Sequence, residues 1–148
     1  MDKKEANMVM DSIKEICVVV FLGANSWIDI RKRQVSLLLI GIFTVCGVMW
    51  TIYSKASVLE VLLCAGTGLI FVGASILTEG AVGMGDGWLI MALGTVVGPA
   101  EFFTMIFTAF MCSAIYAGIM LMIFRKKGHT EIPFVPFLLL GYLGGILI

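Results

Sequence analysis

"VLEVLLCAGTGLIFVGASIL", residues Val58 to Leu77, decides which solvent the chain folds in. A helix crossing a bilayer needs about 20 mostly apolar residues, and this run supplies them without a break. Its one acid, Glu60, sits near the start. The run is apolar on all sides, without the period-two alternation of a barrel strand. Open strands leave backbone groups unsatisfied in lipid, so the stretch reads as a membrane helix.

The same pattern repeats outward from it. Upstream, past the short turn "SKAS", Val35 to Tyr53 reads as a second span. Before that, only Ile16 to Ile28 is clearly apolar, so the first span has to borrow from "MVMDSIKE" to reach across. Downstream, the linker "TEGAVGMGDG" leads to a short segment, Trp88 to Val97, which ends at "GPAE" where Pro99 forces a break. Phe102 to Phe124 follows, then the polar loop "RKKGHTE", then a last segment from "IPFVPF" to Ile148. Of 148 residues, 60% are hydrophobic, and the mean hydropathy is +1.07. The expectation is an all-α, polytopic integral membrane protein of about six transmembrane helices. Residues 1–148 form a single membrane domain, with no room for a soluble domain. "CVVVFLGANS" has the look of a signal-peptide end, but Arg31, Lys32 and Arg33 would follow the cut and resist translocation, so an uncleaved first span is expected.

Charge placement sets topology. Two spans separate Asp29 from Asp86, so both emerge on one face, and two more bring "RKKGHTE" there. That face carries Arg31, Lys32, Arg33, Arg125, Lys126 and Lys127, against Lys3, Lys4, Lys14 and Lys55 opposite. The excess of basic residues makes the Asp face cytoplasmic and leaves both termini outside. The cysteines, Cys17, Cys46, Cys64 and Cys112, fall in separate apolar segments without C-x-x-C spacing. They read as buried free thiols rather than a zinc site.

Asp29 and Asp86 are the main chemical constellation. Each stands at the end of a membrane helix, Asp29 closing the first span and Asp86 opening the fourth. Packed side by side, two carboxylates cannot both ionise and come to share one proton. The ionised member takes a proton from water while its partner polarises a carbonyl, which is aspartyl-protease chemistry without metal or covalent intermediate. Gly83, Gly85 and Gly87 then give clearance for an extended substrate backbone or for positive φ. The plainer reading makes Asp86 a helix cap, Asp29 an interfacial charge and the glycines packing residues. Glu79, on the same face, competes for a place in the pair, whereas Glu60 and Glu101 fall opposite. His129 is the sole histidine, in a charged loop. No H-E-x-x-H and no Walker-type phosphate loop is present, so serine–histidine, zinc and nucleotide chemistries are set aside.

Three pieces of sequence together resemble the prepilin peptidase (type IV leader peptidase) family of G-x-G-D intramembrane aspartyl proteases. "GMGDGWLIMALGTVVG" resembles its G-x-G-D and A-L-G pattern, "DIRKRQVS" its aspartate, basic cluster and helix restart, and "IPFVPFLLLG" its I-P-F-G-P-F-L before the last helix. The resemblance runs from about Trp27 to Gly141. It implies a six-helix fold with catalytic aspartates at Asp29 and Asp86 and motif or substrate-binding positions at Gly83, Gly85, Pro133, Phe134 and Pro136. The implied substrate is a prepilin-like or preflagellin-like subunit, cut between a short basic leader and an apolar helix. The implied site is the cytoplasmic edge of the inner membrane. Ser36 stands where the pattern has proline, Trp88 where it has lysine, and Val135 where it has glycine. The chain looks like the short, peptidase-only form, without the paired C-x-x-C segment linked to N-methylation. No cofactor, metal or nucleic-acid partner is expected; the lipid bilayer is. Rival readings are a proton- or ion-coupled membrane subunit, since intramembrane acids often mark ion paths, and a scaffold without chemistry.

Overall fold

The structure, a computed structural model, describes residues 2–80, 83–125 and 132–148. Ala81 and Val82 of the linker, and Lys126, Lys127 and His129 of the polar loop, lie outside the described residues. The described residues form six helices: α1 Lys3–Lys32, α2 Leu37–Ser54, α3 Val58–Leu77, α4 Met84–Leu93, α5 Pro99–Phe124 and α6 Val135–Leu147. Among the described residues there is no strand. The protein is a polytopic all-α membrane protein. Three helices, α2, α3 and α5, are long and apolar enough to cross a bilayer by themselves, while α4 and α6 are apolar but shorter.

The expected third span coincides with α3, whose ends are set by the turn residues around it. Elsewhere the boundaries move. The first helix starts far upstream, at Lys3, because nothing in the polar tail breaks it and Asp2 caps it, accepting from the Lys3 N–H at 2.8 Å. It ends at Arg33, in the left-handed region at φ 51°, with the Arg33 N–H on the Asp29 carbonyl at 2.8 Å. The fourth helix, expected over Trp88–Val97, lies instead over Met84–Leu93. The G-x-G-D stretch is therefore helical, and Gly94 to Val97 form turns. Pro99 opens α5, where its missing N–H costs nothing.

Tertiary contact explains why a glycine-bearing segment becomes a helix. A Cβ on Gly87 would meet the Val72 nitrogen at 2.8 Å, one on Gly68 would meet the Met91 Cα at 2.6 Å, and one on Gly94 would meet the Ala65 nitrogen at 2.8 Å. The pairs 87 with 72, 91 with 68 and 94 with 64–65 run antiparallel, so α3 and α4 lie backbone against backbone. Gly141 of α6 does the same on α5, where a Cβ would meet the Met105 carbonyl oxygen at 2.5 Å. Close approach at small residues drives helix association in lipid, where the hydrophobic effect between helices is weak.

Contacts close a ring in the order α1, α2, α4, α3, α5, α6 and back to α1. The short helices are sheltered: Leu89, Ile90, Ala92 and Leu93 of α4 and Leu138 and Tyr142 of α6 are buried beside Val18 and Leu22 of α1 and Phe102 and Met105 of α5. The long helices turn most of their apolar surface outward, where lipid stands in for a core. All four cysteines are free, but only Cys64 is buried, while Cys17 and Cys46 are exposed on outward faces. Burial was the wrong expectation for those two, because an apolar outer face is as good a place for a thiol as the interior. Lys14 pairs with Glu101 at 3.8 Å, at the end of the bundle opposite Asp29.

Substituting Gly68 by Val will force α4 off α3 and destabilise the protein by about 3 kcal/mol, the upper end for overpacking against backbone. Gly118, with nothing within 4 Å of a built Cβ, provides the control. Thermal unfolding in detergent should show Gly68→Val well below wild type and Gly118→Ala within a degree or two of it.

Candidate active site

Asp29 is carried by the last turn of α1. It is 7% exposed, a carboxylate buried in protein at the end of a helix that continues to Lys32. Its Oδ2 accepts the N–H of Val135 at 3.1 Å, across 106 residues of chain. Val135 is the first residue of α6, and that helix has no side-chain cap of its own. Asp29 supplies the acceptor that the orphan N–H groups of a helix start need, so α1 and α6 are joined at this point by a charge-assisted bond.

Asp86 reaches the same place from α4. The N-cap of that helix is Gly83, so Asp86 is not the cap that the sequence suggested but the third residue of the first turn, with its N–H on the Gly83 carbonyl at 3.1 Å. An acid is favoured there by the helix dipole. A cavity of about 510 Å³ is lined by both carboxylates, a size ordinary for a ligand site. Asp86 and Asp29 both border that space. The pair comes from two helices that hardly touch otherwise, and it faces one space.

The glycines around Asp86 each have a specific neighbour. A Cβ on Gly83 would stand 2.7 Å from the Asp86 Oδ2, so the missing side chain leaves room for the carboxylate itself. A Cβ on Gly85 would collide with a methyl of Val35, from the turn between α1 and α2. Gly87 packs on α3, as described above. Gly83 and Gly85 also line the cavity, as does Pro133. Phe134 is a structural neighbour of the cavity rather than part of its wall: its ring packs on Phe110 at 5.2 Å. Pro136 lies in the first turn of α6 and is likewise absent from the wall. Glu79, the competing acid, is exposed in a left-handed turn at φ 54° and does not line the cavity.

Two wall residues, Gln34 and Trp88, had no role in the sequence reading. Arg33 and Gln34 put a cation and an amide beside the carboxylates, and Trp88, 40% exposed, forms apolar wall two residues after Asp86. The basic cluster did announce Arg33, but only its left-handed C-cap conformation turns it into the cavity region. Trp27, outside the cavity, carries the Arg31 guanidinium over its ring at 4.8 Å. Among the described residues no group of three or more histidine, cysteine or acidic side chains is arranged to hold a metal ion.

A family model described as the type IV leader peptidase family matches residues 16–118. The chain is also similar to a type 4 prepilin-like proteins leader peptide-processing enzyme of Escherichia coli O78:H11 (strain H10407 / ETEC), with 40% identity over 73 residues. That stretch is 49% of this chain and 25% of the relative, so the likeness spans about a quarter of the relative's length. No solved structure matches.

The Asp29–Val135 bond makes a prediction independent of chemistry. Asn at position 29 keeps an oxygen acceptor, whereas Ala leaves the Val135 N–H unpaired. Asp29→Ala should lie about 1–3 kcal/mol below Asp29→Asn in stability, read as the difference in their thermal unfolding in detergent.

Proposed function

The chain belongs to the type IV leader peptidase family, and from that premise we propose that it is a membrane-embedded aspartic endopeptidase that removes the leader from prepilin-like subunits. The observation that carries the reading is the single cavity shared by Asp29 of α1 and Asp86 of α4. The two carboxylates hold one proton between them. A water placed between them gives a proton to the ionised member as its oxygen attacks the scissile carbonyl carbon. The protonated member donates to the carbonyl oxygen. The tetrahedral intermediate collapses with breakage of the C–N bond: one carboxyl gives its proton to the leaving amine while the other takes a proton from a diol hydroxyl, so the dyad again holds one. The products are a carboxylate-ended leader and a mature subunit with a free amino terminus. The step needs neither metal nor cofactor.

Local structure supports these roles. Asp29 is held by the start of α6 and Asp86 stands in the first turn of α4, so each carboxylate is carried by a helix. Gly83 lets the Asp86 carboxylate lie back against the chain. Gly83, Gly85 and Pro133 form the wall along which the substrate backbone passes, with Phe134 and Pro136 shaping the edge behind it. The substrate has a short basic leader followed by an apolar helix, whose two halves suit water and lipid, the two media that meet at the end of the bundle. Arg31, Lys32 and Arg33 flank the Asp end, so the site faces the cytoplasm and the protein resides in the cytoplasmic membrane.

Co-expression with a prepilin-like substrate tests the reading. The wild type should produce a leader-length mass loss, and Asp29→Asn and Asp86→Asn should each reduce it by at least about a thousandfold while still inserting in the membrane. Gly83→Ala, which pushes on the Asp86 carboxylate, should slow cleavage by about tenfold or more at normal protein levels. Cleavage at the wild-type rate by either Asn variant would refute the dyad.

A further inference from the structure

One turn before Asp29, α1 buries an amide. Asn25 is 0% exposed in a neighbourhood that includes Val18, Phe21 and Leu22. A leucine, with the same branched shape, would suit that setting, so the amide calls for a specific use. Both of its ends are engaged. Nδ2 donates to the Phe21 carbonyl at 3.0 Å, within α1. Oδ1 accepts the N–H of Ser36 at 3.3 Å, across eleven positions of chain. Ser36 is the N-cap of α2, and its hydroxyl accepts from the Leu39 N–H at 3.4 Å.

The contact continues beyond Ser36. Val35, its neighbour, places a methyl where a Cβ on Gly85 would stand. Gly85 adjoins Asp86. A continuous line of contacts therefore runs from the helix of Asp29, through Asn25, Ser36 and Val35, to the backbone that bears Asp86. Little else fixes this line. Contacts between α1 and α2 are slight, and the stacked rings of Phe21 and Phe43, at 3.9 Å, can slide without losing contact. Among the described residues, the Asn25–Ser36 bond is the hydrogen bond that joins α1 to α2.

We propose that Asn25 is a positioning residue which, by holding Ser36, sets the separation of Asp86 from Asp29. The proposal rests on the reading of those carboxylates as a catalytic pair. The backbone of Ser36 allows a sharp test, because its φ of −81° is close to the value proline imposes. Asn25→Leu leaves the Ser36 N–H without an acceptor. Ser36→Pro leaves the buried Asn25 Oδ1 without a donor. Combined, the two changes remove donor and acceptor together, and the proline ring keeps the turn stiff.

Leader cleavage is measured per folded, monodisperse molecule in detergent for the wild type, both single variants and the pair. Each single should lower kcat roughly tenfold with KM within about twofold, and the pair should return to within about threefold of wild type. A second readout does not need proteolysis. In a background with Cys17, Cys46, Cys64 and Cys112 replaced by alanine, the side chains introduced by Asp29→Cys and Asp86→Cys are joined by a short bifunctional reagent. The yield should fall with Asn25→Leu and recover when Ser36→Pro is added. Unchanged kcat per folded molecule for Asn25→Leu, or a pair no better than the worse single, overturns the proposal. Crosslinking that follows the expected pattern, while the chain with Asp29 and Asp86 intact cleaves no prepilin-like substrate, would support the positioning role and reject the catalytic reading instead.

Discussion

Everything in this bundle depends on a helix too short to cross a membrane being held inside one. With ten residues, α4 rises about 15 Å, half the hydrocarbon thickness. It cannot present both ends to water, so protein must cover it. The covering is backbone contact with α3 at Gly68, Gly87 and Gly94, where a Cβ at any of the three would stand within 3 Å of main-chain atoms. Because α4 is pinned this way, its level beside α3 is fixed, while its spacing from α1 is left to the turn that carries Val35 and Ser36. The long apolar helices supply the wall, and the small residues decide where the charge goes.

The membrane class and the third helix were legible in the sequence, because an unbroken apolar run bounded by turn residues has one reading in lipid. The start of α1 was not, since a polar helical tail and a polar disordered tail have the same hydropathy. The start of α4 lies four residues before its expected place for a different reason. Glycines argue against a helix by propensity, and only their contacts with α3, invisible from one segment, outweigh that preference. The two aspartates could be singled out because parity brings both to one face and three motif stretches agree on them. Asn25 and the cavity position of Arg33 were not. An asparagine within "GANSWID" has no signal until Ser36, eleven positions away, is seen to donate to it.

The glycines of the G-x-G-D stretch sharpen the point. Their spacing in the sequence suggests clearance for a peptide, positive φ or helix packing. The structure gives each its own neighbour: the Asp86 carboxylate for Gly83, Val35 for Gly85 and α3 for Gly87. The motif thus encodes how a carboxylate is seated between three pieces of protein. Clearance for an extended substrate follows from the cavity that remains, not from each missing side chain. The same logic accounts for Trp88, which the sequence left without a role. Two positions after Asp86, on a helix whose other side is packed, its side chain has the cavity to face and becomes wall.

Depth is the last consequence. Asp29 follows Lys14 by fifteen residues of continuous helix, about 22 Å along the axis. If the Lys14–Glu101 pair marks one boundary of a hydrocarbon core about 30 Å thick, Asp29 stops about 8 Å short of the other. A carboxylate at that level is costly unless protein or water surrounds it. Here both do: the α6 N-terminus donates to Asp29 from one side, and the cavity opens on the other. Arg31, Lys32 and Arg33 follow directly on the helix and reach the interface, where long basic side chains are stable. With that boundary, the carboxylates sit just below a basic rim, at the depth where lipid gives way to water.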